Sequence, residues 1–239
     1  MEQPIASPAP ADRTDRNRTG AAPPTSLRAR MRIRALPYDG DAARRHIIKR
    51  DVVMRDIVRR VGPFALEVRG APYQSLLRAI LYQQLAGPAA AAIEARFLAL
   101  FGGAIPQPAQ LADLGDEAFR GAGVSRQKAG YMRSLAEHFA SGQLDDRAIR
   151  RAPDEAVIEM VTQVKGIGRW TADMLLLFCL GRPDVLPVGD LGIQNSIRLA
   201  YGLEAMPRPD EMTAIAEPWR PYRSAATWYL WRRGDLVTL

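Results

Sequence analysis

The sequence predicts an all-α fold, and three observations carry that expectation. Apolar residues recur at helical spacing over most of the chain after residue 50, no segment sustains the alternation of a strand, and no tandem repeat is present. Strands alternating with helices would mark a doubly wound sheet, and they are missing. With 239 residues, 47% of them apolar, the chain suits one domain or two small ones with a sizeable core.

Taken in order, residues 1–40 read as a basic tail rich in Pro, Ala and Arg, disordered over 1–30 because it offers too little apolar surface to offset its ordering entropy. The folded domain is expected over 41–239. Val52, Val53, Ile57 and Val61 define a first helix. Tyr73, Leu76, Leu77, Ile80 and Leu81 define a second, with Gly87–Pro88 read as its stop. A helix from Ala89 to Leu100 ends at Gly102–Gly103, and Ser125 is placed as the N-cap of a helix that turns Tyr131, Leu135 and Phe139 inward. Val157, Met160, Val161 and Val164 follow Pro153. The remaining helices are Arg169–Leu180, Leu191–Tyr201, Pro209–Ala216 and Tyr222–Arg232, for a total of eight to ten.

Composition excludes several chemistries. One cysteine, Cys179, rules out an internal disulfide, a four-thiolate zinc site and an iron–sulfur cluster. No P-loop, Gly-x-Ser-x-Gly elbow or His-Glu-x-x-His pair is present, and Gly166-Ile167-Gly168 lacks the third glycine and preceding strand of a dinucleotide fingerprint. The longest apolar run, Met174 to Leu180, is too short to span a membrane, and no signal peptide is evident. A soluble, cytoplasmic protein is expected. The net charge of +7 suggests nucleic acid, but eleven Lys/Arg against five Asp/Glu lie in residues 1–50, whereas 51–239 carry 22 against 21. Only a local basic face would hold phosphates there.

The informative stretch runs from Val161 to Arg198. It reads as a helix, a tight Val164-Lys165-Gly166-Ile167-Gly168 turn and a second helix, with the hairpin spanning about 154–181. Glycines let the backbone turn sharply and approach another surface. The N–H groups of Gly168, Arg169 and Trp170 are free donors at a helix start and suit a phosphate oxygen, reinforced by Lys165 and Arg169. An ordinary packed αα-hairpin explains the same residues. Farther on, Asp190 in Val188-Gly189-Asp190 precedes a helix and, taken alone, is an N-cap.

These elements together resemble the helix-hairpin-helix (HhH-GPD) base-excision DNA glycosylases, and within them the bacterial DNA-3-methyladenine glycosylase II type. Arg78-Ala79-Ile80-Leu81-Tyr82-Gln83-Gln84-Leu85 is similar to that family's Q-Q loop, and Pro218 to Ser224 with Trp231 is similar to its C-terminal segment. The likeness covers roughly residues 42–233. It implies two helical subdomains with a DNA-binding cleft between them, without the N-terminal β domain of some members.

The resemblance also implies a chemistry. The N-glycosidic bond of a flipped, alkylated purine such as 3-methyladenine or 7-methylguanine is hydrolysed in duplex DNA, with Asp190 stabilising oxocarbenium character and orienting water. Trp170, Met174 and Trp231 fall at base-pocket positions, Met174 where relatives often carry an aromatic residue; the Trp170, Met174, Phe178 spacing equally describes a core stripe. Strand-cutting relatives have a lysine where this chain has Trp170, so the resemblance implies no lyase activity. Gln84 or Leu85 is the expected wedge into the gap left by the base. The hairpin carbonyls of Thr162, Val164 and Ile167 are the family's place for a monovalent Na+ or K+, and no other cofactor is implied. Expected surroundings are damaged duplex DNA, a bacterial cytoplasm with nucleoid association, no membrane, and a monomer.

Three alternatives stay open at this stage. The same fold acts on another lesion (uracil, hypoxanthine, an oxidised purine); a non-catalytic hairpin module holds DNA; or the tail is the main nucleic-acid binder. Arg182, Arg220, Arg223 and Arg232 are further phosphate candidates, explained equally well as solvated side chains.

Overall fold

The computed structural model of the chain describes residues 26–85 and 87–237. Most of the tail expected to be disordered, residues 1–25, lies outside the described residues. Residues 26–40 lie within them, and they are packed. Ser26 caps a short helix α1 (Leu27–Arg30), whose Leu27 is fully buried, and Ile33–Arg34 (β1) pairs antiparallel with Val68–Arg69 (β2). Packing therefore starts well before the boundary placed at residue 41. Leu27 and Met31 are both buried, but two apolar residues in an Arg-rich stretch are too few to establish a period from which this could be read.

Helices α2 (Gly40–Arg50) and α3 (Val52–Val61) follow, the second capped by Asp51. After β2 come α4 (Pro72–Tyr82), α5 (Gly87–Ala99), α6 (Pro108–Ala112), α7 (Asp116–Gly121) and α8 (Arg126–Ala140). Then α9 (Asp146–Arg151), α10 (Asp154–Thr162) and α11 (Arg169–Leu175) lead into a π-helical turn, Leu176–Leu180. The chain finishes with α12 (Leu191–Tyr201), α13 (Pro209–Ile215) and α14 (Arg223–Val237). Among the described residues, fourteen α-helical segments exceed the eight to ten expected: α1, α6, α7 and α9 are too short to show a period, and α2 lies at the boundary placed at residue 41. Gly87–Pro88 opens α5 instead of closing α4, since proline is tolerated in a first helical turn. Ser125 caps α8 as expected, accepting from the Lys128 N–H.

The helices bury two cores. One is built by α4 to α11 with Leu27, around Leu76, Leu77, Ile80, Phe97, Phe119, Met132 and Leu135. The other gathers Ile47, Met54, Val58, Ile193, Ile197, Trp219 and Tyr229 from α2, α3 and α12 to α14. Its helices come from both ends of the chain, so the first lobe is inserted between them. Trp231 packs against both cores.

Candidate functional site

Asp190 sits where the lobes meet. The turn from Pro187 closes through the Asp190 N–H to the Pro187 carbonyl (2.9 Å), and Asp190 caps α12 by accepting the Ile193 N–H on Oδ1 (2.9 Å). The carboxylate does more than cap. Its Oδ2 accepts the indole N–H of Trp170 from the first lobe at 2.7 Å, and Oδ1 accepts that of Trp231 at 3.2 Å. It is 9% exposed. Gly192 leaves the necessary room, because a Cβ there would lie 3.1 Å from Oδ1.

A cavity of about 780 Å³ is lined by Trp170, the donor to Oδ2, although Asp190 itself does not line it. Trp170, Met174 and Phe178 line it as a stripe along α11 and the π turn. Trp170 remains 48% exposed, so its ring offers a face to a ligand. Trp231 is stacked on the cavity-lining Phe178 at 5.6 Å with rings 23° apart, and its indole N–H donates to Asp190. The cavity is also lined by Arg28, Arg69, Lys128 and Tyr131. Arg28 and Arg69 share the Glu67 carboxylate, whose pKa the Arg69 hydrogen bonds lower.

The hairpin turn packs tightly on α8. Gly166 has φ +82°, and a Cβ there would overlap the Tyr131 ring, so glycine is needed for both conformation and space. The Ile167 N–H closes the turn on the Val164 carbonyl (3.1 Å), and the Lys165 N–H reaches Ser134 Oγ (3.3 Å). Lys165, Gly166 and Gly168 are exposed, and Gly168 caps α11 with no side-chain acceptor, leaving the first N–H groups open to an anion. Arg169 differs from the expectation of a free phosphate ligand. It forms a two-pronged pair with Glu155 (2.9 and 3.1 Å) and contacts Asp173 at 3.3 Å. Burial pushes the Asp173 carboxyl up to about 6 despite that arginine. Arg182, Arg220 and Arg223 are likewise engaged, the first with Asp154 and the other two with Asp184.

At the Q-Q loop, Gln84 is exposed and has φ +57°, a left-handed conformation that costs a non-glycine residue about 1 kcal/mol. Leu85 is half-buried and donates its N–H to the Tyr82 carbonyl (3.3 Å). The side chain turned outward is that of Gln84.

Sequence reasoning missed Arg28, Arg69, Lys128 and Tyr131 around the cavity. Lys128 and Tyr131 sit on one helix face, i and i+3, a pattern that also describes a solvated surface. The Arg169–Asp173 pair, at i and i+4, was visible in the sequence.

A model of the HhH-GPD superfamily base excision DNA repair proteins matches residues 77–221. The chain belongs to that superfamily. DNA-3-methyladenine glycosylase 1 of Schizosaccharomyces pombe is 37% identical over 197 residues, covering 80% of this chain and 86% of its own. The structure of the S. pombe 3-methyladenine DNA glycosylase in complex with abasic DNA superimposes with a TM-score of 0.75 at 36% identity, covering 83% of this chain and 98% of that one. A DNA-3-methyladenine glycosidase from Bacillus halodurans gives 0.75 at 37% identity, covering 87% and 94%. The two-lobed helical architecture is thus that of the HhH-GPD superfamily.

Proposed function

We propose that the chain is a monofunctional DNA glycosylase that removes alkylated purines, 3-methyladenine and 7-methylguanine, from duplex DNA in base excision repair. The observation that carries this reading is the Asp190 carboxylate, held by two indole N–H groups, one of them from Trp170, which lines a cavity together with Met174 and Phe178. The hairpin, with Lys165 and the open N–H groups of α11, takes a phosphate, and the target nucleotide leaves the stack. A flat cationic base then lies against Trp170, where cation–π attraction contributes about 0.5–2 kcal/mol.

As the C1′–N bond breaks, its electron pair goes to the base, which departs neutral because alkylation had already made it cationic. Positive charge grows on the sugar, and Asp190 stabilises it from a fixed orientation, since Trp170 bonds one of its oxygens and Ile193 the other. Water adds at C1′ and passes its proton to bulk solvent, leaving an abasic site. Strand cleavage requires an amine at the sugar, and the residue beside Asp190 is Trp170. In this reading the hairpin carbonyls of Thr162, Val164 and Ile167 would hold a monovalent cation that draws the phosphate in. Replacing K+ by tetramethylammonium at constant ionic strength then weakens DNA binding. The chain acts as a monomer in this reading.

The deciding experiment measures free bases released from methylated duplex DNA, with strand breaks scored before and after mild alkali. Release of methylated purines with breaks only after alkali is expected; breaks before alkali, or no release, overturn the proposal. One observation favours a second lesion class. The Arg28 guanidinium, which spends only one nitrogen on Glu67, lines the same cavity and suits a neutral purine with an exocyclic oxygen, such as hypoxanthine. Its release relative to 7-methylguanine distinguishes the two.

A further inference from the structure

Three consecutive residues ahead of Gln84 are each held by a different element. The Leu81 carbonyl, one of the last in α4, accepts the Lys128 ammonium of α8 at 2.7 Å. The Tyr82 hydroxyl donates to Glu94 of α5 at 3.0 Å, and Glu94 is 1% exposed with its other oxygen unpartnered. The Gln83 amide donates to the Gly166 carbonyl of the hairpin at 2.8 Å. Immediately afterwards Gln84 turns left-handed and points outward.

We infer that residues 81–83 form a three-point anchor that presents Gln84 as a preformed wedge, with Lys128 and Glu94 as its positioning residues. This rests on the base-flipping reading of the site. Helix ends fray, and the carbonyls of a last turn lack partners. A cation at that end satisfies one of them and complements the helix dipole. Lys128 does both from a partly buried position in the cavity wall, where burial lowers its pKa. The Gln83–Gly166 bond ties the same loop to the element that takes the phosphate, so wedge and hairpin reach DNA in fixed register. Ordering the loop beforehand removes an entropic cost from insertion.

The test uses the full chain and a duplex in which a tetrahydrofuran abasic analogue is flanked by 2-aminopurine, whose fluorescence rises as the wedge unstacks it. No base release is required, so failure of the glycosylase reading is scored separately: wild type that inserts but frees no methylated purine sinks that reading alone. Lys128→Met is expected to slow insertion about tenfold, the loss of one charge-assisted hydrogen bond, with binding to undamaged duplex kept and the unfolding temperature lowered by only a few degrees. Lys128→Arg restores the rate. Gln83→Met gives a similar loss, which keeps the test in hand should Lys128→Met unfold. In the double variant Lys128→Met/Gln84→Ala, insertion is no slower than in Gln84→Ala alone, because the lysine acts through the glutamine. Wild-type insertion by both Lys128→Met and Gln83→Met, additive losses in the double variant, or no rescue by arginine overturns the anchor.

Discussion

Asparagine at position 190 keeps the shape of the aspartate and removes its charge. Asparagine caps helices about as well as aspartate, so the bond to the Ile193 N–H survives. The new amide N–H₂ then faces the Trp170 indole N–H, donor against donor, where a 2.7 Å bond had been. An unsatisfied buried donor costs about 1–3 kcal/mol, and the lower end applies because Trp170 is half exposed and water can reach it. A change of about 1 kcal/mol moves the unfolding temperature of a domain this size by roughly 2–4 °C. Catalysis suffers more. Loss of one preorganised electrostatic partner of a transition state typically lowers the rate by about 10²–10³, or 3–4 kcal/mol. Single-turnover release of 7-methylguanine, measured beside thermal unfolding, separates the two effects. A folded Asp190→Asn enzyme that retains more than a tenth of the wild-type rate would refute the argument and leave Asp190 as a helix cap.

Other expectations are equally concrete. Lys165→Gln should lower the slope of log binding constant against log salt by about one, whereas Arg169→Gln changes it by less, because Glu155 and Asp173 already hold that guanidinium. Equal slopes for both variants would contradict the ion-pair geometry. Gly166→Ala combines a positive φ with overlap on Tyr131, so a clear drop in unfolding temperature is expected, partly recovered by adding Tyr131→Ala. Asp173 holds its proton up to about pH 6 when folded but only to 3.8 when unfolded, so the folded state binds more protons between those values. Relative to Asp173→Asn, wild type should lose stability as pH rises from 3.8 to about 6 and stay level above that; paired denaturation curves across the window check this.

Elements with explicit punctuation were legible in the sequence. Helix α12 falls at Leu191–Tyr201, the bounds expected, because Asp190 caps its start and Gly202 takes the left-handed conformation at its end. The Trp170, Met174, Phe178 stripe was legible as a pattern but not in its role. The same spacing serves a core or a pocket, and only the half-exposed ring of Trp170 separates them. Trp231 was legible from its motif, but its bond to Asp190 and its stacking on Phe178 were not, because both partners are distant in sequence. Lys128 could not be read at all. Its partner is a backbone carbonyl 47 positions away, and carbonyls leave no trace in residue identity. Arg169 was half legible, for its charge suggested phosphate while Asp173, one helical turn on, competed for it.

The placement of the inserted lobe bears on the order in which the molecule is completed during synthesis. Helices α2 and α3 are made early, yet the core they belong to needs Ile193, Ile197 and Tyr229 from α12 and α14. At about 5–20 residues per second, α3 waits on the order of ten seconds or more for its last partner to leave the ribosome. The intervening lobe, from α4 to the π turn, is contiguous and can collapse in the meantime. Asp190, which reaches Trp170 in the early lobe and caps a helix of the late one, acquires its final environment only when the two are joined. The reactive carboxylate is therefore among the last features of the nascent chain to mature.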